Sequence, residues 1–320
     1  MDTLTQFFLP VSIWFQNTPG WLITFFKGIT FLGNTEFYLI IMPALFWSID
    51  ATLGIRTGIM LLISGGINSI LKFVFQWPRP FWVSSQVSNL VEESSFGFPS
   101  GHSQNAASIW GLLGISTPKK WFRWFALLII FLIGLSRVIL GVHFTHDVLF
   151  GWLVGAALLG IFLKVEKAVA AWFKDNSLPI QILGLLIATS LFIIPALLLV
   201  PPFNPPALPQ AWIEGAGEII DPYNYEGLLT TAGSFLGLGL GVIFLYQSSG
   251  FSAQGPLRQR ILRYLVGLVG VLALYLGLGS IFPENVDLLS YALRFFRYFL
   301  IGFWISYGAP KLFAWLRLVN

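Results

Sequence analysis

Residues 121–164 read WFRWFALLIIFLIGLSRVILGVHFTHDVLFGWLVGAALLGIFLK. Two apolar runs, 121–140 and 144–164, meet at a polar junction holding Ser136, Arg137, His143, His146 and Asp147. Each run has the roughly 20 residues a helix needs to cross a bilayer core. Backbone polar groups in lipid must pair within their own segment, which selects helix over an open strand. The stretch therefore reads as two membrane-spanning helices joined by a polar turn. The same pattern extends both ways along the chain. Spans are expected at 36–49, 55–75 and 101–117 before it, and at 179–200, 227–247, 261–282 and 288–308 after it. The stretch 7–33, broken by Pro10, Pro19-Gly20 and Lys27, either crosses the membrane or lies in its interface.

Composition agrees. The chain of 320 residues is 56% hydrophobic and 10% charged, with a mean hydropathy of +0.78, outside the range of soluble domains. The expected fold class is all-α, a polytopic helical membrane protein. Absence of cysteine excludes disulfides, thiolate nucleophiles and cysteine-bound metals. The first basic residue is Lys27, so no basic signal-peptide start is expected and the spans themselves would direct membrane insertion. The polar, lysine-containing segment 164–178 is expected to separate a second apolar region. Gly233, Gly237 and Gly241, four residues apart within one span, are expected to let helices approach closely.

Threading these spans sorts the charges. One face collects Arg56, Lys119, Lys120, Arg123, Lys164, Lys167, Lys174, Arg258, Arg260, Arg263, Lys311 and Arg317. The other collects most of the acids, among them Glu36, Glu92, Glu93, Glu214, Glu218, Asp221 and Glu226. Lys/Arg bias marks the first face as cytoplasmic. Three polar motifs then fall at the opposite, extracytoplasmic boundary. The first is Lys72, six residues, then Arg79-Pro80. The second is Pro99-Ser100-Gly101-His102. The third is Ser136-Arg137, five residues, His143, three residues, Asp147.

The residue types suit an anionic phosphate. Lys72, Arg79 and Arg137 supply charge-assisted donors. Ser100 is a candidate N-cap, and Gly101 lets the backbone approach an anion at a helix N-terminus. His102 can donate a proton to a leaving oxygen. Four residues separate His143 from Asp147, one face of a helix, so the carboxylate can orient the imidazole as a nucleophile. Each motif also has a bland reading: a snorkelling lysine, a capped helix, a structural His–Asp pair. His146 reads as structural.

Taken together the motifs resemble the tripartite signature of the type-2 phosphatidic acid phosphatase superfamily, which includes glucose-6-phosphatase and vanadium haloperoxidases. The resemblance covers about residues 30–165 and every signature position: Lys72, Arg79, Pro80, Pro99, Ser100, Gly101, His102, Ser136, Arg137, His143 and Asp147. It implies a six-helix core with an extracytoplasmic site. It implies that His143 forms a phosphohistidine, that Asp147 orients it, and that His102 protonates the leaving group. Lys72, Arg79, Ser100, Gly101 and Arg137 would bind the phosphoryl oxygens. No metal and no cofactor is implied, and no nucleic-acid partner is expected.

The expected organisation is a phosphatase core at 1–170 and a C-terminal extension at 171–320 with about four more transmembrane helices. Segment 201–226 is expected to lid or shape the site. The expected activity is hydrolysis of a lipid phosphate or diphosphate in the bilayer: phosphatidate, phosphatidylglycerophosphate or polyprenyl diphosphate. The competing readings are a phosphatase of a soluble sugar phosphate and a non-catalytic lipid transporter.

Overall fold

A computed structural model describes residues 3–248, 250–283 and 285–319. Among the described residues there is helix and no strand. In chain order the helices are α1 (Thr3–Phe15), α2 (Gly20–Phe31), α3 (Thr35–Ala44, ending in a π-helical turn Leu45–Ile49), α4 (Ala51–Phe75), α5 (Pro80–Val83), α6 (Gly101–Ser116) and α7 (Lys120–Ile139). Then follow α8 (Thr145–Asp175), α9 (Leu178–Leu199), α10 (Gln210–Ala216), α11 (Glu226–Gln247), α12 (Leu257–Leu272), α13 (Leu288–Phe303) and α14 (Ala309–Trp315). Among the described residues, seven helical segments are long and apolar enough to cross a membrane, eight if the pair Gly20–Phe31 and Glu36–Ile49, bent by 50°, counts as one span. Leu127, Leu128, Phe131, Leu149, Leu153 and Ile161 on α7 and α8 are exposed. An outward apolar face is what lipid contact requires.

Segment 164–178 does hold a helix break, at its far end: α8 runs on to Asp175, because Lys164, Glu166, Lys167 and Lys174 are good helix formers once outside hydrocarbon, and α9 starts at Leu178. One expectation needs adjustment. The span expected at 101–117 is a helix of only 16 residues. Its buried residues include Ser103, Gln104, Ala106, Ala107 and Ser108, so it is an interior helix rather than a lipid-facing one.

The chain divides into two compact units: Met1–Tyr38, Ile67–Phe162 and Ala196–Asn224 form the first, and Leu39–Gly66, Leu163–Pro195 and Tyr225–Asn320 the second. In the second, α11 packs on α13. A Cβ at Gly237 would strike the Phe299 carbonyl, and one at Gly233 the Phe295 carbonyl, so the glycine stripe does permit close helix approach. Its core gathers Phe46, Trp47, Leu245, Val271, Tyr298, Ile301 and Phe313. Arg56 and Glu166 form an ion pair there at 2.8 Å.

In the first unit α6 is enclosed by α7 and the first half of α8. Ala106 of α6 packs with Ile129 and Ile133 of α7. On the α8 side, a Cβ at Gly151 would lie 2.7 Å from the Ser100 carbonyl, and one at Gly155 would strike the Gln104 carbonyl. These two glycines set how near α8 comes to the helix that carries His102. Gly155→Leu is expected to force the helices apart, at a cost of about 1–3 kcal/mol typical of overpacking. Gly160 should tolerate alanine, since a methyl group there would meet nothing within 4 Å. Thermal unfolding of both variants in detergent checks this: a lower Tm for Gly155→Leu only.

Candidate active site

The three motifs converge within the first unit. Lys72 sits in the last turn of α4, and its Nζ donates to Ser95 Oγ at 2.7 Å. Arg79 is the N-cap residue of α5, with Pro80 at the first helical position, where a missing N–H costs nothing. Ser100 caps α6, accepting from the Ser103 backbone N–H, as expected of a serine at that position. Asn68 of α4 ties this start down, its Nδ2 donating to the Pro99 carbonyl at 3.2 Å and Gln104 Oε1 at 3.0 Å. Arg137 lies in the last turn of α7, where positive charge suits the helix dipole.

The junction between α7 and α8 is a tight turn. The His143 N–H donates to the Arg137 carbonyl at 3.2 Å, and Gly141 adopts φ +73°. A Cβ at Gly141 would strike the Ser88 carbonyl, so geometry and space both call for glycine. His143 precedes α8 rather than lying on it, since the helix starts at Thr145. The expected His143–Asp147 pairing therefore forms, but by a different route. Asp147 Oδ2 reaches back to accept from the Phe144 N–H at 2.9 Å, as an acid at the third helical position does in a capping box. The same oxygen lies 3.2 Å from His143 Nδ1.

These contacts assign the imidazole's tautomer. A guanidinium has no acceptor, so His143 Nε2, 3.2 Å from Arg79 Nη1, must accept from it. Nδ1 is then the protonated nitrogen and donates to Asp147. Nε2 carries the lone pair. His143 is held well below the usual histidine range, chiefly by burial and then by the positive charges of Arg79, Arg137 and Lys72. The neutral, nucleophilic form thus persists as pH falls through 6.5. A reaction that uses this lone pair should show no inflection from His143 near that pH, and the acid limb of its pH profile should lie lower.

His146, read from the sequence as structural, also reaches Asp147: its Nε2 is 3.1 Å from Oδ1. Its ring stacks on Phe144 with centroids 5.3 Å apart and lies near Trp77 and Phe98. It packs behind the site and does not line the cavity at the motifs.

That cavity, about 360 Å³, is lined by Asn34, Lys72, Glu93, Gly101, His102 and His143 among others. His102 Nε2 lies 2.9 Å from Asn34 Oδ1. Four expected residues, Lys72, Gly101, His102 and His143, thus share one cavity wall. Arg79 and Arg137 are 0% and 1% exposed and do not line it. Glu93 stands in front of both, with Oε2 2.9 Å from Arg79 Nη2 and Oε1 on Arg137 Nη2. Burial alone would raise Glu93, but Arg79, Arg137 and Lys72 hold its carboxyl below the usual carboxylate range. Arg79 further donates to the carbonyls of Ser95 and Val142 at 2.6 and 2.8 Å, and Arg137 to Thr30 Oγ1 at 2.6 Å.

Sequence reasoning missed Thr30, Asn34, Asn68, Glu93 and Ser95. They lie outside the three motifs, and none belongs to a pattern that marks it. Segment 201–226 does not lid the cavity, since none of its residues lines it. Within the first unit its residues to Asn224 pack behind the 76–98 segment instead. Tyr223 Oη donates to Gln76 Oε1 at 2.9 Å, Trp212 lies 6.0 Å from Trp82, and Asn89 donates to Glu218 at 2.8 Å. Among the described residues no group of three or more His, Asp or Glu is placed to hold a metal ion.

Residues 54–170 match the model of the PAP2 superfamily, and 229–320 match that of the PAP2 superfamily phosphatase, transmembrane extension. Phosphatidylglycerophosphatase B of Bacillus subtilis (strain 168) is 38% identical over 165 residues, covering 47% of this chain and 77% of that protein. The chain belongs to the PAP2 superfamily. This PAP2 chain is a multi-pass membrane protein of a phosphatase family. It is also 31% identical over 144 residues to sphingosine-1-phosphate phosphatase 2 of Mus musculus, covering 42% of this chain but 40% of that protein. Among solved structures, that of a transmembrane PAP2 type phosphatidylglycerolphosphate phosphatase from Bacillus subtilis shares 28% identity at a TM-score of 0.45, covering 53% of this PAP2 chain and 89% of the other.

Proposed function

We propose that this PAP2 chain hydrolyses a lipid phosphate or diphosphate through a phosphohistidine on His143, at the extracytoplasmic membrane boundary. The carrying observation is the state of His143: Nδ1 tied to Asp147, Nε2 with its lone pair, and Lys72 and His102 on the same cavity. The lipid character follows the names of the relatives, a phosphatidylglycerophosphatase and a sphingosine-1-phosphate phosphatase. The face follows from the segregation of Lys and Arg away from the motifs.

The Nε2 lone pair of His143 attacks phosphorus, and the bond from phosphorus to the lipid oxygen breaks. Protonated His102 gives that oxygen its proton. His102, now neutral, takes a proton from water as the water attacks phosphorus. The P–N bond breaks, inorganic phosphate leaves and both histidines return to their starting states. Lys72, Arg79 and Arg137 neutralise the phosphoryl oxygens, and Gly101 brings the backbone at the start of α6 to the cavity, its Cα packed on Asn68. Ser100, whose hydroxyl accepts from Ser103, acts mainly by fixing that helix start. Residues 1–170 hold every one of these groups and form the catalytic part; 171–320 are a transmembrane extension.

Asp147→Asn should leave the fold intact and lower kcat by about 10³–10⁴, as loss of a histidine-orienting carboxylate does elsewhere. The broader test is phosphate release in detergent from phosphatidate, phosphatidylglycerophosphate and a polyprenyl diphosphate, with glucose 6-phosphate as the water-soluble comparator. Turnover of at least one lipid phosphate, above that of the sugar phosphate, is expected. Turnover of the sugar phosphate alone would replace the lipid reading. Release from none, with lipid transport intact, would leave a transporter.

A further inference from the structure

Glu93 occupies the place a phosphoryl group needs. Its two carboxylate oxygens each meet one nitrogen of a different buried arginine, Arg79 and Arg137, and guanidinium groups are also the donors best suited to phosphate. Glu93 lines the cavity, whereas the arginines behind it do not. We infer that Glu93 is a built-in competitor for the phosphoryl seat, and that it makes this site selective for doubly charged terminal phosphates over singly charged phosphodiesters. This rests on the phosphatase reading above.

The selectivity follows from charge and tethering. A bilayer presents phosphodiester head groups in great excess over phosphomonoesters. A phosphodiester carries one negative charge, as Glu93 does, so exchanging one for the other gains no charge interaction. The tethered carboxylate also competes at a high effective concentration. A terminal phosphate brings a second negative charge, which Lys72 at the cavity wall is placed to meet. Rejecting the common lipid through a competing contact, rather than improving contact with the rare one, is discrimination by penalty.

The direct test is calorimetric binding of two probes to the full chain in detergent: a non-hydrolysable phosphonate analogue of phosphatidate, and phosphatidylglycerol. Wild type should bind the phosphonate and show weak binding of the diester. Glu93→Gln should bind the diester about tenfold or more tightly, narrowing the ratio between probes, because the binding-competent seat is no longer a minor state. An unchanged ratio, or weakening of both probes together, would show that Glu93 only braces the arginines and would overturn the proposal.

Glu93→Gln leaves two buried arginines short of a partner, so a second measurement avoids it. Ser94 is exposed and the chain has no cysteine, so Ser94→Cys gives a unique spin-label site beside Glu93. The phosphonate should change the label's mobility, and phosphatidylglycerol at the same concentration should not. Equal responses to both, or no response while calorimetry records phosphonate binding, would also overturn it. Phosphate release from phosphatidate is assayed separately. Its failure would remove the phosphatase reading, whereas an active enzyme without the selectivity change would remove only the role of Glu93.

Discussion

His143→Ala is expected to lower lipid-phosphate turnover by about 10⁴-fold or more, the order seen when a covalent nucleophile is deleted. The structure also indicates what should survive. The cations do not depend on the imidazole: Lys72 at the cavity is held by Ser95, and Arg137 behind Glu93 by Thr30 and Glu93. Asp147 keeps the Phe144 N–H and His146. Binding of a phosphonate analogue should therefore stay within a few-fold of wild type while turnover disappears. Loss of turnover together with loss of binding would mean that His143 acts by organising the site rather than by attacking phosphorus.

The second large effect is expected at Arg79. Its guanidinium is fully buried and donates to Ser95 O, Val142 O, Glu93 and Ser95 Oγ, as well as facing His143 Nε2. Arg79→Ala leaves two carbonyls and one oxygen of Glu93 without their donor, and Arg137 alone on that carboxylate. Breaking a buried pair from one side typically costs about 3–5 kcal/mol. The variant should show a lower Tm and little activity. Arg79→Lys should recover part of the stability but little of the turnover, because an ammonium cannot reproduce a planar fork with five donors. Thermal unfolding and phosphate release on the same samples separate these outcomes. An Arg79→Ala variant with unchanged Tm would contradict the contacts that Arg79 makes.

Much of the frame was legible in the sequence because hydrocarbon imposes a simple rule. A run of about 20 apolar residues has few fates in a chain this hydrophobic, and the runs at 121–140 and 144–164 became α7 and α8, the first within a residue or so and the second extended at its far end. The three motifs were legible because residues this costly to bury stand out against apolar surroundings. What the sequence did not carry was tertiary pairing between irregular segments. Glu93 and Ser95 sit in a stretch without helix or strand, where nothing periodic marks their direction. Asn34 sits at the break between α2 and α3. The polar segment after residue 164 holds its break only at 176–177, since lysine and glutamate continue a helix readily in water. The His143–Asp147 spacing suits one helix face, but the pair forms through a turn before α8 and a capping aspartate.

The most direct test of the account is capture of the phosphoenzyme. Wild-type protein turning over phosphatidate would be quenched in alkali, which preserves phosphorus–nitrogen bonds, and the peptide spanning residues 136–147 sequenced by mass spectrometry. The account predicts a phosphoryl group on His143, absent from His143→Ala. It should accumulate in His102→Ala supplied with a substrate whose leaving group needs no proton. A phosphoryl group on another residue, or none throughout a time course in which phosphate is released, would contradict it.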